Sequence, residues 1–343
     1  AGEGKYDPAT NRLTIDSVTG DLDITVNFKI KIFTVALGQI TNGTLGEGQA
    51  NTLTVDYGGK AEFTVLPNEG YELDRLSAGA SYDAETNKLT VSDVKKDHTI
   101  DISFKVMTFT VTTGRPQHGT ITLSSSRVDY NGSASAQIRA AEGYYIASYT
   151  VNGKTTENND QSLTEYQVEL SNIRENQRID ATFAIKSFVI SAEVGENGAV
   201  TIRPEEVSYG GSAEVEIAAN EGYYIASYTD VNGQTVENTD QNLTQVTLRF
   251  RNVKENKSVE AAFAIKRYTV RVTAVNGTID GEAAVVVNHG DEVQFQVRAN
   301  TGYVFSQELT GAAYDAETGI LTVQPVTADR RITLTFTPAA VGL

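Results

Sequence analysis

The sequence predicts an all-β protein, built as a tandem array of small β-sandwich-like domains (Ig-like or β-grasp-like) that form an elongated rod. Three features support this prediction. Apolar and polar residues alternate in segments such as FTVTT and AEVEIA. Turns rich in glycine and asparagine recur at intervals of about 8–12 residues, as in all-β domains. Similar segments return along the 343 residues, and no window of about 11 residues has helical apolar spacing.

Internal repetition defines the predicted domains. The segments DITVNFKIKIFTV, DISFKVMTFTV, DATFAIKSFVI and EAAFAIKRYTV each place one aromatic residue five positions before another. A half-repeat at the start fits truncation better than strand exchange between chains, because the last repeat is complete and leaves no spare half to donate. We predict the C-terminal half of a truncated repeat at 1–29, repeats at 30–105, 106–186, 187–266 and 267–338, and a tail at 339–343.

Each predicted repeat has the same order of elements. An alternating opening strand (FTVTT) is followed by a glycine turn with a short strand (HGTITL) and then by a second turn (VDYNGSASA). The next strand keeps a period of two, with Val215 and Ile217 on one face and Glu214 and Glu216 on the other. A corner containing E-G-Y or T-G-Y, a hairpin and a closing strand complete the repeat.

Two kinds of hairpin follow the corner. The middle repeats share the corner EGYYIASYT at 142–150 and 221–229, which duplication of a whole domain explains, and continue with V-N-G, a type I′ turn signal. The outer repeats instead carry SYDAETNKLTV at 81–91 and AYDAETGILTV at 313–323, and the leading fragment carries KYDPATNRLTI. We therefore expect two interleaved subtypes.

The junctions between repeats are short. Only KIKI, KVMT, AIKS or AIKR separates each closing aromatic residue from the next opening one, without glycine or proline. Such a junction is not a flexible linker, so the closing strand should run almost directly into the next opening strand. Four such repeats predict a rod on the order of 120–160 Å. We expect the lysines in or beside the junctions to be solvated; they are Lys29, Lys105, Lys186 and Lys266.

Composition excludes several functions. The formal net charge of −16 argues against binding to nucleic acid or to anionic membranes, which require cationic surfaces. The absence of cysteine excludes disulfides, thiolate metal sites and cysteine nucleophiles. No apolar run approaches the ~20 residues of a membrane span. The chain begins AGEGKYDPAT, without a signal peptide, and we interpret it as a soluble processed chain or a fragment.

The sequence offers no catalytic, metal-binding or cofactor-binding residues, and we predict that the protein is not an enzyme. Its three histidines, His98, His118 and His289, lie in different repeats, and each is expected in a turn. His289 stands where the other repeats have a tyrosine, which favours a structural role over a catalytic one. Those tyrosines are Tyr57, Tyr130 and Tyr209.

The sequence gives only weak support for three other kinds of site: a calcium loop, an isopeptide bond and a sugar-stacking tyrosine pair. The loop DVNGQTVEN offers Asp230, Asn232 and Glu237 as oxygen ligands, but it lacks the spacing of a calcium loop and is better interpreted as a hairpin. Lys–Asn isopeptide bonds would need a lysine in the first strands, and FTVTT and FVISA contain none. Paired tyrosines at the corner, Tyr144/Tyr145 and Tyr223/Tyr224, could stack on a sugar, but adjacent strand residues face opposite ways, so one of each pair should fill the core.

The pattern FTVTT, HGTITL, VSYGGSA, EGYYIASYTVNG and VELSNIREN with a closing phenylalanine resembles the divergent internalin-B B-repeat family. The resemblance covers the four repeats and the leading half-repeat. It implies an extracellular location on a bacterial surface, cell-wall-attached or secreted and chiefly Gram-positive, with a stalk or adhesive role. It implies no catalytic residues.

We therefore expect a non-catalytic structural stalk of an adhesin-like surface protein. One alternative is a binding module whose middle repeats recognise a host or cell-surface protein or a glycan. A second alternative is the subunit of a self-assembling extracellular fibre. A monomeric rod is the favoured oligomeric state, with no cofactor, no nucleic acid and no membrane insertion.

Overall fold

The computed structural model describes residues 4–340, which contain 34 strands and no helix. The chain is therefore all-β, as predicted. A leading hairpin consists of β1 (Gly4–Asp7) and β2 (Arg12–Ile15). Within the described residues no helix is long and apolar enough to cross a membrane.

Each of the four repeats contains eight of the described strands. Repeat 1 has β3 (Ile32–Thr41), β4 (Gly43–Leu45), β5 (Thr52–Asp56), β6 (Ala61–Pro67), β7 (Tyr71–Leu76), β8 (Ala80–Asp83), β9 (Lys88–Val91) and β10 (His98–Val106). Repeat 2 has β11 (Thr108–Thr113), β12 (Gly119–Leu123), β13 (Arg127–Asp129), β14 (Ala134–Ala140), β15 (Tyr144–Val151), β16 (Lys154–Glu157), β17 (Glu165–Leu170) and β18 (Gln177–Ile185).

The second pair of repeats has the same order. Repeat 3 has β19 (Ser187–Val194), β20 (Gly198–Arg203), β21 (Glu206–Ser208), β22 (Gly211–Ala219), β23 (Tyr223–Thr229), β24 (Thr235–Glu237), β25 (Gln245–Val253) and β26 (Lys257–Ile265). Repeat 4 has β27 (Arg267–Val275), β28 (Gly277–Asp280), β29 (Ala284–Asn288), β30 (Val293–Ala299), β31 (Tyr303–Phe305), β32 (Ala313–Asp315), β33 (Ile320–Val323) and β34 (Arg330–Pro338).

Each repeat is built from two sheets around its own core. The opening and closing strands pair in parallel inside the first sheet, as β3 with β10 and β27 with β34. The corner strand pairs antiparallel with the other edge of the closing strand. The alternating faces are buried as expected: Val215 and Ile217 are fully buried, as are Ile100, Ile102 and Phe104 of the closing strand of repeat 1.

The two hairpin subtypes divide the strands differently between the sheets. In repeats 2 and 3 the sixth strand, β16 or β24, pairs with the corner strand, which gives sheets of five and three strands. In repeats 1 and 4 the sixth strand, β8 or β32, pairs with the seventh strand, which gives two four-stranded sheets. The V-N-G and Y-D-A-E-T segments therefore close hairpins between different strands.

The local chemistry of the turns explains this difference. In repeat 2, Asn152 and Gly153 both have positive φ (50° and 83°), which lets the chain reverse in two residues directly after the corner strand. In repeat 1 the carboxylate of Asp83 accepts hydrogen bonds from the Glu85 amide and the Thr86 hydroxyl, and this turn closes the later hairpin β8–β9.

The prediction of a type I′ turn at V-N-G is wrong for repeat 3. Relative to repeat 2, this repeat has one extra residue, Asp230, and the loop between β23 and β24 is longer. Its carboxylate accepts hydrogen bonds from the amides of Asn232 (2.8 Å) and Gln234 (2.9 Å). Only Gly233 of this loop has positive φ, because Asp230 closes the wider turn with its side chain.

The junctions are as short as predicted. A single residue separates the closing strand of each repeat from the opening strand of the next. These residues are Met107, Lys186 and Lys266.

The leading half-repeat is only partly ordered into strands. The hairpin β1–β2 repeats the Asp–Thr turn of the outer repeats, with the Thr10 hydroxyl donating to Asp7 (2.7 Å). Residues 16–31, which correspond to the region of the closing strand, belong to no sheet. Phe28 is 75% exposed, whereas its counterpart Phe104 is 2% exposed, because neither an opening strand nor a corner strand flanks residues 16–31.

Candidate functional site at the joints between repeats

The corner glycine of each of the first three repeats contacts the repeat that follows. Gly70 has φ +81°, and the ring of Tyr130 in repeat 2 lies so close to its Cα that a Cβ would overlap the ring. A left-handed backbone and a ring against the Cα both require glycine here. The same relationship holds twice more along the chain, for Gly143 with Tyr209 and for Gly222 with His289.

Main-chain hydrogen bonds tie each junction residue to both repeats. The amide of Lys186 donates to the carbonyl of Gly143 (2.9 Å), and the carbonyl of Lys186 accepts from the amide of Tyr209 (2.8 Å). Met107 and Lys266 make the equivalent pairs of bonds at the other two joints. Because its backbone is bonded on both sides, the junction residue is held between the repeats.

Side chains add a second connection at the first joint. The hydroxyl of Tyr130 donates to the carboxylate of Glu69, the residue before the corner glycine (2.5 Å). The guanidinium of Arg174 lies 5.2 Å from the centre of the Tyr130 ring and 3.6 Å from Glu69. We call this arrangement of tyrosine, cation and glutamate the latch.

The second joint has the same latch. Tyr209 donates to Glu142, and Lys254 lies 3.0 Å from the Glu142 carboxylate and 4.9 Å from the centre of the Tyr209 ring. The hydrogen bond from Tyr209, followed by that from Lys254, lowers the pKa of Glu142 below its ordinary value. The Tyr209 hydroxyl and Glu142 in turn raise the pKa of Lys254.

The third joint lacks the latch. His289 occupies the tyrosine position, and its Nδ1 is buried without a hydrogen-bond partner among the described residues. Thr327 follows the buried Val326, at the position where Arg174 follows Ile173 in repeat 2. Neither a phenol nor a cation therefore stands opposite the corner carboxylate, Glu221.

The two ends of the array each present half of a joint. At the start, Tyr57 is 52% exposed and the ammonium of Lys95 lies 5.9 Å from its ring centre. At the end, Gly302 has φ +84° with no neighbouring atom within 4 Å of an added Cβ. Thr301 precedes it in place of a glutamate, so this corner lacks the carboxylate of a latch.

A cavity of about 620 Å³ opens at the second joint. Its walls include the rings of Tyr144, Phe188 and Tyr209 together with Glu142 and Lys254. Aromatic faces beside one carboxylate and one ammonium suit a ligand with apolar faces and hydroxyl groups.

The histidines lie in three separate repeats. His118 has φ 63° and stacks on Tyr144 (centroids 4.2 Å apart, planes at 3°), at a left-handed position that is asparagine in the other repeats. His289 lies at the third joint, at the tyrosine position as expected. The prediction that His98 lies in a turn is wrong, since it begins strand β10, whose opening residues pair with β3.

The paired tyrosines of the corner are half-buried, and the central core residue here is Ile146. Tyr144 lies on the same face as Ile146 but at the edge of the core, where His118 covers it. The expectation that a tyrosine fills the core of the middle repeats is therefore wrong in detail, because the strand places the smaller Ile146 at the centre. Tyr223, Tyr224 and Ile225 repeat this pattern in repeat 3.

Two of the three suggested calcium ligands, Asp230 and Asn232, form the turn instead. Asp230 accepts the amide hydrogen bonds described above, and Glu237 lies at the end of β24. Across residues 4–340 no group of three or more histidine, aspartate or glutamate side chains is arranged to hold a metal. Of the junction lysines, Lys29 and Lys105 are exposed as expected, but Lys186 and Lys266 are half-buried in the joints.

Sequence reasoning missed that the corner and the turn are partners. The signal was present, since the cation after Ile173 or Val253 and the tyrosine of the turn disappear together in repeat 4. This signal could not be interpreted from the sequence alone, because the two segments that meet are about 60 residues apart in the chain.

Comparison with known proteins gives one family match. The model of the divergent InlB B-repeat domain matches residues 33–108, 188–267 and 268–340. No curated protein sequence matches the chain.

Similarity to solved structures is distant. The chain aligns with the Bacillus anthracis TIE protein at 11% identity and a TM-score of 0.35, over 87% of this chain and 66% of that one. It aligns with the Bacteroides ovatus SGBP-B of a mixed-linkage glucan utilization locus, in complex with a heptasaccharide, at 10% identity and a TM-score of 0.09, over 74% and 62% of the two chains. At these TM-scores neither similarity carries an argument.

Proposed function

Because the chain belongs to the divergent InlB B-repeat domain family, we propose that it is a non-catalytic stalk in a bacterial surface or secreted protein. In this function the array holds an adhesive or enzymatic part of the protein at a distance from the surface. The family is one of repeat domains typical of extracellular bacterial proteins, which supports the location. The repeats that we predict from 30 to 338 are the units of the stalk.

The observation that carries the proposal is the contact of the corner glycines of repeats 1–3 with the next repeat. A single junction residue, hydrogen-bonded to both repeats, leaves little freedom for bending. The latches at the first two joints add contacts that a flexible linker would lack. Each repeat also holds a separate core, so force along the array passes through joints between folded units.

Small-angle scattering of the full chain tests this proposal. A stalk should have a maximum dimension on the order of 120–160 Å, estimated from the strand rise and four repeats. The profile should be that of a stiff rod from low to moderate protein concentration. A compact particle, or a freely jointed chain of beads, would contradict the proposal.

A second candidate function is supported by the cavity at the joint of repeats 2 and 3. We propose as the alternative that this cavity binds a glycan or an extended segment of a host protein. A glycan array probed with the full chain, and with Tyr144→Ala and Lys254→Ala variants, tests it. Arg174→Ala at the first joint is the matched control, since it removes a latch cation away from the cavity. Absence of glycan binding, or equal binding by all variants, excludes glycan recognition at this cavity.

A further inference from the structure

Repeats 2 and 3 each leave one edge strand of their second sheet uncovered. In repeats 1 and 4 the sixth strand, β8 or β32, pairs with the seventh strand and covers its outer edge. In repeats 2 and 3 the sixth strand belongs to the other sheet, so the seventh strands, β17 and β25, each pair with one neighbour among the described strands. An uncovered edge presents main-chain amides and carbonyls to which another strand can be added.

In β25 the outward main-chain groups lie at Thr247 and Arg249. The amide of Ala219 donates to the carbonyl of Thr244, directly before β25 (2.9 Å). Because main-chain bonds alternate along an antiparallel pair, every second residue from 246 to 250 bonds β22, and Thr247 and Arg249 present their amides and carbonyls to the open edge. With nine residues, β25 is the longest edge strand among those described.

Strand β17 of repeat 2 has the same arrangement. The amide of Ala140 donates to the carbonyl of Thr164, directly before β17 (2.8 Å). The same alternation therefore turns the main-chain groups of Gln167 and Glu169 toward the open edge. The two middle repeats thus present equivalent edges, one on each repeat.

These two edges carry opposite charges. Strand β25 has the exposed side chains of Arg249 and Arg251, whereas β17 has those of Glu165 and Glu169. Like charges that face each other across a strand pair are destabilising, and opposite charges are stabilising. Two β17 edges, or two β25 edges, would therefore repel each other, whereas a β17 edge and a β25 edge attract.

The ion pairs that these residues make within their own repeats do not prevent such an attraction. The guanidinium of Arg249 lies 3.1 Å from the carboxylate of Glu214, and that of Arg139 lies 3.5 Å from Glu165. All four side chains are more than half exposed, so each pair is screened by solvent and contributes little to stability. Their rearrangement therefore costs little when a second charged strand approaches.

We propose that two copies of this chain associate by pairing the β17 edge of one copy with the β25 edge of the other. The two strands run antiparallel, as β8 and β9 do in repeat 1. With Gln167 opposite Arg249, both glutamates of β17 lie diagonal to Arg249, within reach of its long side chain. Arg251 then lies beside Glu165. The second copy thus provides the covering strand that β8 and β32 provide in repeats 1 and 4.

The proposal goes beyond the stalk function and does not rest on it. Scattering at low concentration measures the length and stiffness of a single chain, whereas association between chains appears as the concentration rises. A stiff rod that stays monomeric would contradict only the pairing of edges. A chain that associates through these edges but bends freely at its joints would contradict only the stalk.

Sedimentation equilibrium of the full 343-residue chain, from about 10 µM to about 1 mM, tests the proposal. The weight-average mass should rise with concentration, and it should rise less at high salt because salt screens the charges. At the highest concentration, hydrogen exchange should slow at the amides of Thr247, Arg249 and Gln167. A mass that stays at that of one chain over the whole range overturns the proposal.

Charge reversal identifies the surface. Arg249→Glu with Arg251→Glu reverses the basic edge, and Glu165→Arg with Glu169→Arg reverses the acidic edge. Each double variant alone should associate about tenfold more weakly or less, because both of its edges then have the same sign. A mixture of the two double variants should associate again, since each edge then meets one of opposite sign. Misfolding of either variant cannot produce this recovery.

The matched control for the basic edge is Lys60→Glu with Lys96→Glu. This variant changes the net charge by the same amount at two exposed loop residues of repeat 1, and it should associate like the original chain. Unchanged association of either edge variant overturns the proposal, as does a mixture that fails to restore association. A control that weakens association as much as the edge variant would attribute the effect to net charge and equally overturn it.

Discussion

The carboxylate of Glu142 in repeat 2 accepts a hydrogen bond from the hydroxyl of Tyr209 in repeat 3, while the ammonium of Lys254 lies 3.0 Å from the same carboxylate. Glu142 directly precedes the corner glycine on which the Tyr209 ring lies. The corner of repeat 2 is part of the fold of that repeat, and through this contact it also orients repeat 3. The following predictions concern this joint and its counterparts.

Substitution of the corner glycine should open a joint. Gly143→Ala places a Cβ within the space of the Tyr209 ring and also forces alanine into a left-handed conformation. We expect the strain to destabilise repeat 2 by about 1–2 kcal/mol. We also expect faster hydrogen exchange of the Lys186 amide, which bonds the Gly143 carbonyl across the joint.

Gly302→Ala is the matched control for that substitution. Gly302 has a similar φ of +84° but no atom within 4 Å of an added Cβ. The Gly302→Ala variant should destabilise repeat 4 through the same backbone strain, but it should leave hydrogen exchange at the joints unchanged. If Gly143→Ala and Gly302→Ala both leave exchange at Lys186 unchanged, the ring contact does not hold the joint.

Acid should loosen the second joint. Because the folded protein lowers the pKa of Glu142, the carboxylate stabilises the joint above its ordinary pKa of 4.5. This contribution is lost as the pH falls below 4.5 and through the lowered folded value. Since the chain has no cysteine, Lys154→Cys and Gln234→Cys can carry a fluorophore pair across the joint. The distance distribution should broaden between pH 6 and pH 3.

Glu142→Gln separates the charge from the hydrogen bond in this experiment. The amide oxygen can still accept from Tyr209, but it does not titrate in this range. The variant should therefore show a smaller change over the same pH interval. An identical response in both proteins would mean that another group causes the loosening.

The third joint can be given a latch. In the double variant His289→Tyr and Thr327→Lys, the phenol can donate to Glu221 and the ammonium can pair with it, as in the second joint. Removal of His289 also eliminates a buried nitrogen without a partner. Exchange of the Lys266 amide, bonded to the Gly222 carbonyl, should slow by about two- to fivefold, the range expected for an exposed ion pair.

The single variant Thr327→Lys serves as the control for this gain. Thr327→Lys alone should have little effect, because His289 offers no phenol to complete the latch. Slower exchange with Thr327→Lys alone would attribute the gain to charge without the tyrosine.

Substitution of two equivalent phenylalanines should affect stability differently. Phe104→Ala removes a buried ring from repeat 1 and should destabilise that repeat by about 3–5 kcal/mol. Phe28→Ala changes a 75% exposed ring and should leave the stability of the four repeats unchanged. Urea unfolding followed by hydrogen exchange in β10 measures both, since repeats of an array need not unfold together. A loss of stability in repeat 1 on Phe28→Ala would show that the half-repeat supports its neighbour.

Much of the fold could be predicted because it depends on local patterns. The alternation around Val215 and Ile217 assigns one face of β22 to the core, and Asn152-Gly153 supplies the positive φ values of a two-residue hairpin. The extra Asp230 shows the limit of such reasoning. The letters V-N-G recur in repeat 3, yet one inserted carboxylate that bonds the loop amides produces a different turn.

The sequence alone determined that the chain is an array of β repeats with short junctions, because strand periodicity and turn chemistry are encoded within about ten neighbouring residues. Only the tertiary structure decided that Gly70 meets Tyr130 and that Gly143 meets Tyr209. These choices depend on contacts between segments far apart in the chain, which form when two folded repeats meet around a single junction residue.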